Sequence, residues 1–246
     1  LIELAQALPW LYLSLVFLFS LMVGSFLNVV IHRLPIMMER DWHAEYTDYF
    51  GDHTPPIPAT GRYNLMVPRS RCPHCDHPIG ALENIPLLSW LWLRGRCRNC
   101  RAPISARYPL VELLTALLSV AVAATLTPGW GTLAALVLTW VLVALTFIDL
   151  DKMLLPDQLT LPLLWAGLLF NLLGGFVPLA DAVIGTMAGY LVLWALYWAF
   201  KLLTGKEGMG YGDFKLLAAL GAWLGWQALP IVLLLSSLVG AAIGIG

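Results

Sequence analysis

The sequence predicts an all-α polytopic membrane protein, with about seven to eight transmembrane helices and a cytoplasmic zinc-binding loop domain. Three observations lead to this fold class. The composition is 59% apolar and 12% charged, and the mean hydropathy is +0.78, well above that of a soluble domain. Apolar runs of membrane-spanning length recur along the chain. All four cysteines fall in the one long polar stretch. No nucleic-acid-binding signature is present.

The apolar runs define the expected helices. They cover 8–31, 109–127, 130–148, 158–177, 182–201 and 227–246, and a shorter run covers 213–226. The first run lacks a basic n-region and a small-residue cleavage site, so we expect a permanent anchor rather than a signal peptide. Because residues 241–246 still belong to an apolar run, we expect a further helix beyond them.

The basic residues predict the orientation. Ten of the 14 Lys and Arg residues lie between the first and second spans, and the others are Lys152, Lys201, Lys206 and Lys215. If the spans alternate, all of these segments share one face, whereas the turns at 128–130 and 178–181 hold neither Lys nor Arg. The positive-inside rule makes the basic face cytoplasmic.

Small and polar residues mark the end of the first span. Gly24 and Ser25 permit close helix contact, and Asn28 could hydrogen-bond to a neighbouring helix. We expect Arg33 to snorkel to the interface and Pro35 to end the helix. This face is either a packing surface or a wall of a substrate groove.

Two segments 25 residues apart share the pattern R-C-x-x-C-x-x-P-I, at 71–79 and 96–104. They present Cys72, Cys75, Cys97 and Cys100 at a spacing close to that of zinc ribbons, so a structural Zn²⁺ site is predicted. Two disulfides or redox-active thiols are the alternatives, and a reducing cytoplasm argues against disulfides. His74 and His77 are expected at the surface because the cysteines already complete four ligands.

The segment between the two cysteine pairs is too short to span a bilayer. Its two tryptophans and Arg94 suit an interfacial segment lying against the membrane. Glu83 and Asn84 are not needed for anchoring, which leaves room for a site there. Glu112 lies one turn into the second span, where it either stabilises the helix start through the helix dipole or belongs to an active centre.

Three aspartates follow the third apolar run. Asp157 comes straight after Pro156 and is predicted to cap the fourth span. Asp151 can pair with neighbouring Lys152 or stay solvated. Asp149 lies deepest, at a helix C-terminus where the dipole disfavours negative charge. An acid at the membrane edge without a structural explanation is a functional candidate.

The stretch Gly210-Tyr211-Gly212-Asp213 runs directly into the short apolar segment. By itself it is either a loop with a capping aspartate or part of a site. The glycines would let the backbone pass close to an extended peptide or adopt positive φ.

Asp149 and Asp213 are both predicted at membrane depth on one face, which suggests acid–base chemistry on water. Like charges held close cannot both ionise, so one carboxyl would stay protonated while the other activates water. That is the chemistry of aspartic proteases. The chain has neither G-x-S-x-G nor H-E-x-x-H. A transporter or proton relay is an alternative use of two such acids.

Five motifs, in order, resemble the type IV prepilin peptidases, which are bifunctional leader peptidases and N-methyltransferases. They are G-S-F-L-N-V-V-I-H-R-L-P at 24–35, the paired C-x-x-C, E-N-I-P at 83–86, F-I-D-L-D-x-x-x-L-P-D at 147–157 and G-Y-G-D-F-K at 210–215. The resemblance covers essentially the whole chain. Other G-x-G-D membrane proteases carry Tyr where Ile148 stands here.

The resemblance implies cleavage of a basic leader from prepilins and pseudopilins, after a glycine, and then methylation of the new amino terminus with S-adenosylmethionine. It makes Asp149 and Asp213 the catalytic pair. Supporting positions are Gly210, Gly212, Lys215 and Glu112. For the methyl donor, no Gly-rich fingerprint occurs. Its candidate residues are Glu83, Asn84, Pro86 and Gly95.

The resemblance also implies a location and a division of labour. Residues 1–31 would form the first transmembrane helix, 32–108 the cytoplasmic zinc-binding and methyltransferase-associated loop, and 109–246 the protease core. The protein would lie in a bacterial inner membrane, with the zinc loop and the active site facing the cytoplasm. Its partners would be prepilins and the lipid bilayer, without nucleic acid. An adaptor that binds prepilins without cutting them is the remaining alternative.

Overall fold

A computed structural model describes residues 7–51 and 62–245, with the side chains of residue 50 and of 243–245 excepted. The predicted segments 1–31, 32–108 and 109–246 therefore include some residues outside the described ranges. Within those ranges the chain is mostly helical and contains no β-strand, only two isolated β-bridges. It divides into two compact units, Leu1–Met153 and Leu154–Gly246.

Four α-helices of the first unit, from residue 9 onward, lie within the described residues. They are α1 (Pro9–Phe50), α2 (Leu88–Trp92), α3 (Arg107–Thr125) and α4 (Trp130–Lys152), with a 3₁₀ turn at Ala81–Asn84 before α2. By length and composition α1, α3 and α4 could each cross a membrane. The cysteine pairs lie between α1 and α3, as predicted.

Helix α1 is much longer than the predicted first span. It continues through Pro35 to Phe50, so the prediction that Pro35 ends it is wrong. The fixed φ of proline fits a helix, and the missing N–H removes one hydrogen bond without forcing a stop. At 1.5 Å per residue the 42 residues extend about 63 Å, roughly twice the hydrocarbon core. The second half of α1 therefore projects beyond the bilayer.

Arg33 holds the polar segment after α1 instead of snorkelling, so that expectation is also wrong. Its side chain is buried, and Nη1 donates to the carbonyl oxygens of Asn64 at 3.0 Å and Leu65 at 3.4 Å. About two turns further along α1, the guanidinium of Arg40 lies 4.2 Å from the ring centroid of Tyr63. These contacts favour helical structure beyond Pro35, because they order that part of α1.

The predicted packing face of α1 is confirmed. A Cβ on Gly24 would lie 2.7 Å from the Cα of Glu112, so only glycine permits this approach of α1 to α3. The amide of Asn28 donates to the carbonyl of Tyr108 at 3.0 Å. In a membrane such a polar contact between helices holds them in one register.

The described part of the second unit, residues 154–245, also contains four α-helices. They are α5 (Asp157–Leu172), α6 (Leu179–Thr204), α7 (Tyr211–Leu224) and α8 (Leu229–Ile245). Helix α6 could cross a membrane alone, whereas α7 and the segment after it are bent by 119° at a break around Gly225, where φ is +77°.

The number of candidate spans is smaller than the seven to eight predicted. Within the described residues four helices are long and apolar enough, or five if the bent pair counts as one. Within the described residues, each of the seven apolar runs does contain a helix. The 16 residues of α5, however, reach only about 24 Å, and the 14 of α7 about 21 Å, both short of a hydrocarbon core of roughly 30 Å.

Helix α7 is the buried centre of the second unit, between α5 and α6. A Cβ on Gly221 would lie 2.1 Å from the carbonyl oxygen of Gly185 in α6. On the side of α5, the indole of Trp223 donates to the carbonyl of Leu163 at 2.8 Å. Phe214 is fully buried. Packing on two sides explains how so short a helix is held, and it fixes the direction of the first turn.

Candidate active site and cysteine module

Asp149 lies in the last turn of α4, as the sequence predicted, and its side chain is exposed. The helix ends at Lys152, and Met153 follows in the left-handed conformation with φ of 49°. The Met153 amide donates to the Asp149 carbonyl at 2.8 Å. The carboxylate thus stands at the negative end of the helix dipole, an unfavourable place for a charge.

Arg107, the first residue of α3, binds the turn of α4 that contains Asp149. Its Nη1 lies 2.6 Å from Oδ1 of Asp151, and its Nη2 donates to the carbonyl of Phe147 at 3.2 Å. The contacts fall two residues before and two residues after Asp149. The prediction that Asp151 pairs with Lys152 is therefore wrong, although its side chain does stay exposed to solvent.

Lys152 has a different partner, on α1. Its Nζ lies 2.8 Å from Oε1 of Glu39, in the part of α1 beyond Pro35. The C-terminal turn of α4 is thus tied to both other long helices of its unit. Sequence analysis missed both pairs, because their members are far apart in the chain and no local pattern connects them.

Asp213 is the third residue of α7, so it lies inside the first turn and does not cap the helix. The N-cap is Gly210, which has extended backbone geometry and no side-chain cap. In the first turn a carboxylate is favoured by the helix dipole. The two aspartates therefore have opposite helix environments: the dipole opposes the charge of Asp149 and supports that of Asp213.

The two glycines of the motif differ in what surrounds them. A Cβ on Gly212 would lie 2.8 Å from the Cβ of Leu155, whereas the nearest atom to a Cβ on Gly210 is 3.7 Å away. Neither has positive φ, so that expectation is wrong. Gly212 permits the close approach of α7 to the segment before α5.

Lys215 ties the first turn of α7 to the start of α5. Its Nζ lies 2.7 Å from both carboxylate oxygens of Asp157. Asp157 is the first residue of α5 rather than its N-cap, which is Pro156 and makes no side-chain cap, so the capping prediction is wrong. The carboxylate serves the ion pair across the unit instead.

A second set of contacts surrounds Tyr211, between the glycines of the motif. Its ring centroid lies 5.4 Å from that of Tyr197, a residue of α6 that is almost fully buried. The Tyr197 hydroxyl accepts a hydrogen bond from Lys201 Nζ at 3.1 Å, and Lys201 pairs with Glu207 at 2.8 Å. This network braces the loop before α7, and no sequence signal predicted it.

Glu112 connects the polar loop to α3. It is the sixth residue of α3, so the first-turn interpretation is wrong, and it is 8% exposed. Its Oε2 accepts the backbone N–H of Leu87 at 2.8 Å. Leu87 has φ of 59°, an unusual conformation for a residue with a side chain. The carboxylate thus holds the residue that follows Pro86.

The two cysteine segments repeat in structure as they do in sequence. In the first, the Cys72 amide donates to the carbonyl of His77 at 3.0 Å; in the second, Cys97 donates to Ala102 at 2.8 Å. Each also closes an isolated bridge, Arg71 with Pro78 and Arg96 with Pro103. Every one of these contacts is displaced by the same 25 residues.

The four thiols form one cluster. Sγ of Cys72 lies 3.8 Å from that of Cys100, and Sγ of Cys75 lies 4.0 Å from that of Cys97. All four sulfurs lie within 4.8 Å of one another. A tetrahedral ion with metal–sulfur bonds of about 2.3 Å needs sulfurs about 3.8 Å apart. The four residues therefore fit a metal ion.

Backbone amides favour the thiolate form in this cluster. A backbone hydrogen bond from His77 lowers the pKa of Cys75 to about 7, and those from Cys100 and Asn99 lower the pKa of Cys97. Thiolate is the metal-binding form of cysteine. The donor set thus suits a soft or borderline cation.

Two of the candidate methyl-donor residues, Glu83 and Gly95, make close contacts within the polar loop. Glu83 accepts the Gly80 amide at 3.1 Å and lies 3.4 Å from His77 Nε2 and 3.6 Å from Arg98 Nη1, so it joins the two cysteine segments. Gly95 has φ of +67°, and a Cβ there would lie 3.0 Å from Trp90. Their role toward a methyl donor stays a prediction, as does that of Asn84 and Pro86.

Comparison with known proteins covers almost the entire chain. Residues 18–126 match the model of the bacterial peptidase A24 N-terminal domain, and 136–245 match that of the type IV leader peptidase family. A protein of Aeromonas salmonicida (strain A449), named prepilin leader peptidase/N-methyltransferase, is 85% identical over 246 residues, which are 100% of this chain and 84% of that protein. A protein of Pseudomonas aeruginosa with the same name is 57% identical over 237 residues, 96% of this chain and 81% of that protein. No solved structure matches this chain.

Proposed function

This chain belongs to the type IV leader peptidase family, and we propose that it removes the leader peptide of prepilins with Asp149 and Asp213 and then methylates the new amino terminus. The observation that best supports this proposal is common to both aspartates. Each lies in a terminal turn of an apolar helix, and two residues later comes a member of an ion pair, Asp151 or Lys215. Each of these turns is thus held in place by an ion pair of a neighbouring residue, and neither ion pair uses Asp149 or Asp213 itself.

The proposed reaction is hydrolysis without a covalent intermediate. One carboxylate takes a proton from water, and the water oxygen attacks the scissile carbonyl carbon. The other carboxyl, protonated at the start, donates to the carbonyl oxygen. When the tetrahedral intermediate collapses, the C–N bond breaks and the leaving nitrogen takes the proton that the first carboxylate had removed from water. A hydroxyl of the intermediate returns its proton to the second carboxylate as the C=O bond forms.

The test uses purified enzyme, a prepilin and S-adenosylmethionine, with mass spectrometry of the product. We expect loss of the leader followed by gain of one methyl group. Asp149→Asn and Asp213→Asn should each abolish leader loss. The matched control is Asp181→Asn, the same change in the first turn of α6, where the carboxylate binds Trp226. Leader loss that persists in Asp213→Asn would refute the aspartate pair.

We also propose that this machinery faces the cytoplasm from a bacterial inner membrane, with prepilins and pseudopilins as substrates. The basic residues support this orientation. In the first unit, the start of α3, which Arg107 and Asp151 join to the end of α4, directly follows the Arg-rich polar loop, and the positive-inside rule makes such a loop cytoplasmic. To test the orientation, a single cysteine is introduced at Thr127 or at Thr204, and the four native cysteines are kept. A membrane-impermeant thiol reagent added from the periplasm should label Thr127→Cys and not Thr204→Cys. The reverse pattern would contradict the orientation.

For methyl transfer, we propose that S-adenosylmethionine binds beside the 3₁₀ turn as a second substrate. Glu83 already has three partners, whereas the exposed amide of Asn84 is available at the surface next to it. Asn84→Ala should lower methyl gain without affecting leader loss. Equal loss of both activities, or of neither, would argue against this location. Gln227→Ala, which removes an exposed amide outside the polar loop, serves as control.

For the cysteine cluster we propose structural Zn²⁺, held by Cys72, Cys75, Cys97 and Cys100. With four protein ligands the ion would be closed to substrate, so its contribution is to stability and not to a chemical step. Elemental analysis should give about one zinc per chain, lost in Cys72→Ser and retained in His74→Ala. A fully active, metal-free preparation would contradict the assignment.

A further inference from the structure

Helix α2 exposes an apolar face. Leu88, Leu91 and Trp92 lie at positions i, i+3 and i+4, hence on one side of the helix. They are 64%, 62% and 80% exposed. Trp90 points elsewhere: its ring packs against Gly95, and its Nε1 donates to the carbonyl of Ile104 at 3.2 Å. The expected pair of interfacial tryptophans is thus divided, and only Trp92 faces outward.

The start of α2 lies beside a membrane-spanning helix, not beyond its end. The Leu87 amide, which immediately precedes α2, donates to Glu112 at 2.8 Å. Glu112 lies five residues into α3 from Arg107, or about 7.5 Å along its axis. Arg107 marks the polar end of that helix through its pair with Asp151. The backbone at Leu87 is therefore at the depth of the second turn of a span.

The polar module that carries α2 is strongly basic. Its described part, residues 62–106, contains seven arginines, no lysine and two acids, a net charge of +5. Three exposed arginines, Arg94, Arg96 and Arg98, follow α2 within six residues. Arginine beside exposed Leu and Trp is the composition of segments that lie in the headgroup region of anionic membranes.

The charge also decides between possible occupants of this face. A second copy of the chain would bring the same positive module against it, and like charges repel. A soluble acidic partner would satisfy the arginines but would have no access to a helix that begins at the depth of a span. An anionic leaflet supplies an apolar phase and negative headgroups at that depth.

We propose that α2 is an interfacial helix whose Leu88, Leu91 and Trp92 side chains insert among the lipids of the leaflet on the side of the cysteine module, while Arg94 and Arg96 bind anionic headgroups. This proposal does not rest on the proposed enzymatic function. The cysteine module is then attached to the membrane in two ways: through the hydrogen bond between Leu87 and Glu112 of α3, and through the contacts of α2 with lipid.

Photo-crosslinking tests the inserted face. Trp92 is replaced by p-benzoylphenylalanine in the full chain, reconstituted in nanodiscs of equal parts phosphatidylcholine and phosphatidylglycerol. After illumination, intact-mass spectrometry should show phospholipid adducts. The negative control carries the probe at Tyr49, which is 88% exposed but lies 16 residues, about 24 Å, beyond Arg33 on α1. The positive control carries it at Leu18 in the spanning part of α1, 57% exposed.

The proposal predicts adducts at positions 92 and 18 but not at 49. If only position 18 reacts, or if position 92 gives a covalent dimer of the chain, the proposal is wrong. Adducts at position 92 should also contain more phosphatidylglycerol than phosphatidylcholine.

The headgroup part is tested separately with Arg94→Gln and Arg96→Gln. Each should lower the preference for phosphatidylglycerol by about fivefold, the factor that corresponds to one surface arginine. An unchanged lipid ratio in the double variant would overturn the assignment of these arginines. The matched control is Arg69→Gln, an exposed arginine of the same module that precedes the first cysteine pair and should leave the ratio unchanged.

Discussion

The Nζ of Lys215 lies 2.7 Å from both carboxylate oxygens of Asp157. Lys215 comes two residues after Asp213, and Asp157 is the first residue of α5. The first unit repeats this arrangement: Asp151 comes two residues after Asp149 and binds Arg107, the first residue of α3. Each proposed catalytic turn is thus attached to the start of another helix by one ion pair.

Loss of the Lys215 pair should affect leader cleavage more than stability. The side chains are 29% and 50% exposed, so the pair contributes at most about 1 kcal/mol to the free energy of unfolding. A small displacement of Asp213 would still lower kcat, by roughly tenfold to a hundredfold in Lys215→Met. Lys215→Arg should recover most of this loss with KM unchanged. A fall in melting temperature that accounts for all lost activity would contradict a positioning role.

Arg107 should behave in the same way toward Asp149, with one distinction. It holds both Asp151 and the Phe147 carbonyl, so Arg107→Lys can retain the ion pair but not both contacts. We expect roughly tenfold lower kcat in Arg107→Lys and a larger loss in Arg107→Ala. Methylation of an already cleaved pilin peptide, measured on the same preparations, should persist and shows that the protein is folded.

Gly212→Ala should be destabilising through a single steric contact. The added methyl group would lie 2.8 Å from the Leu155 Cβ, an overpacking that costs about 1–3 kcal/mol. Leu155→Gly in the same chain, which removes that Cβ, should restore part of the activity lost in Gly212→Ala. Gly210→Ala meets nothing closer than 3.7 Å and has φ of −81°, so it should fold normally. If the Leu155→Gly combination restores nothing, the glycine is required for another reason, such as passage of the substrate backbone.

Glu112 provides a test of how the polar loop is attached. Glu112→Leu leaves the Leu87 N–H without its acceptor, and an unsatisfied buried donor costs about 1–3 kcal/mol. Glu112→Gln keeps an acceptor oxygen and should retain most of the stability. Thermal unfolding and the rate of methyl transfer should follow the same order, with wild type and Glu112→Gln close together. Equal defects in both variants would indicate that the charge itself is needed.

The sequence predicted the helices and the cluster of four cysteines far better than it predicted the partners of the charged side chains. Periodic apolar runs and the repeated cysteine pattern are local signals, so α3, α4 and the module between α1 and α3 could be derived from them. Asp157 shows the limit. The residues next to Asp157 in the sequence predict that it caps a helix, but its ion-pair partner, Lys215, is 58 positions away. Single-sequence reasoning has no access to such pairs.

The errors at Pro35 and at α5 have a different origin. Rules for proline describe an average cost, and contacts made by Arg33 and Arg40 with distant residues outweigh that cost here. The length of an apolar run likewise overestimates a span when its ends form turns: the run at 158–177 yields a helix that ends at Leu172. Both outcomes depend on tertiary structure.

The unbroken course of α1 makes its two halves rotationally coupled. Gly24 and Glu39 are 15 residues apart, which at 100° per residue places them about 60° from each other around the axis, on the same side of the rod. The face that packs against α3 in the membrane therefore determines where Glu39 meets Lys152 outside it. Inserting one residue between them would turn Glu39 by about 100° and move it 1.5 Å away. The fold thus constrains the number of residues in this segment more tightly than their identity.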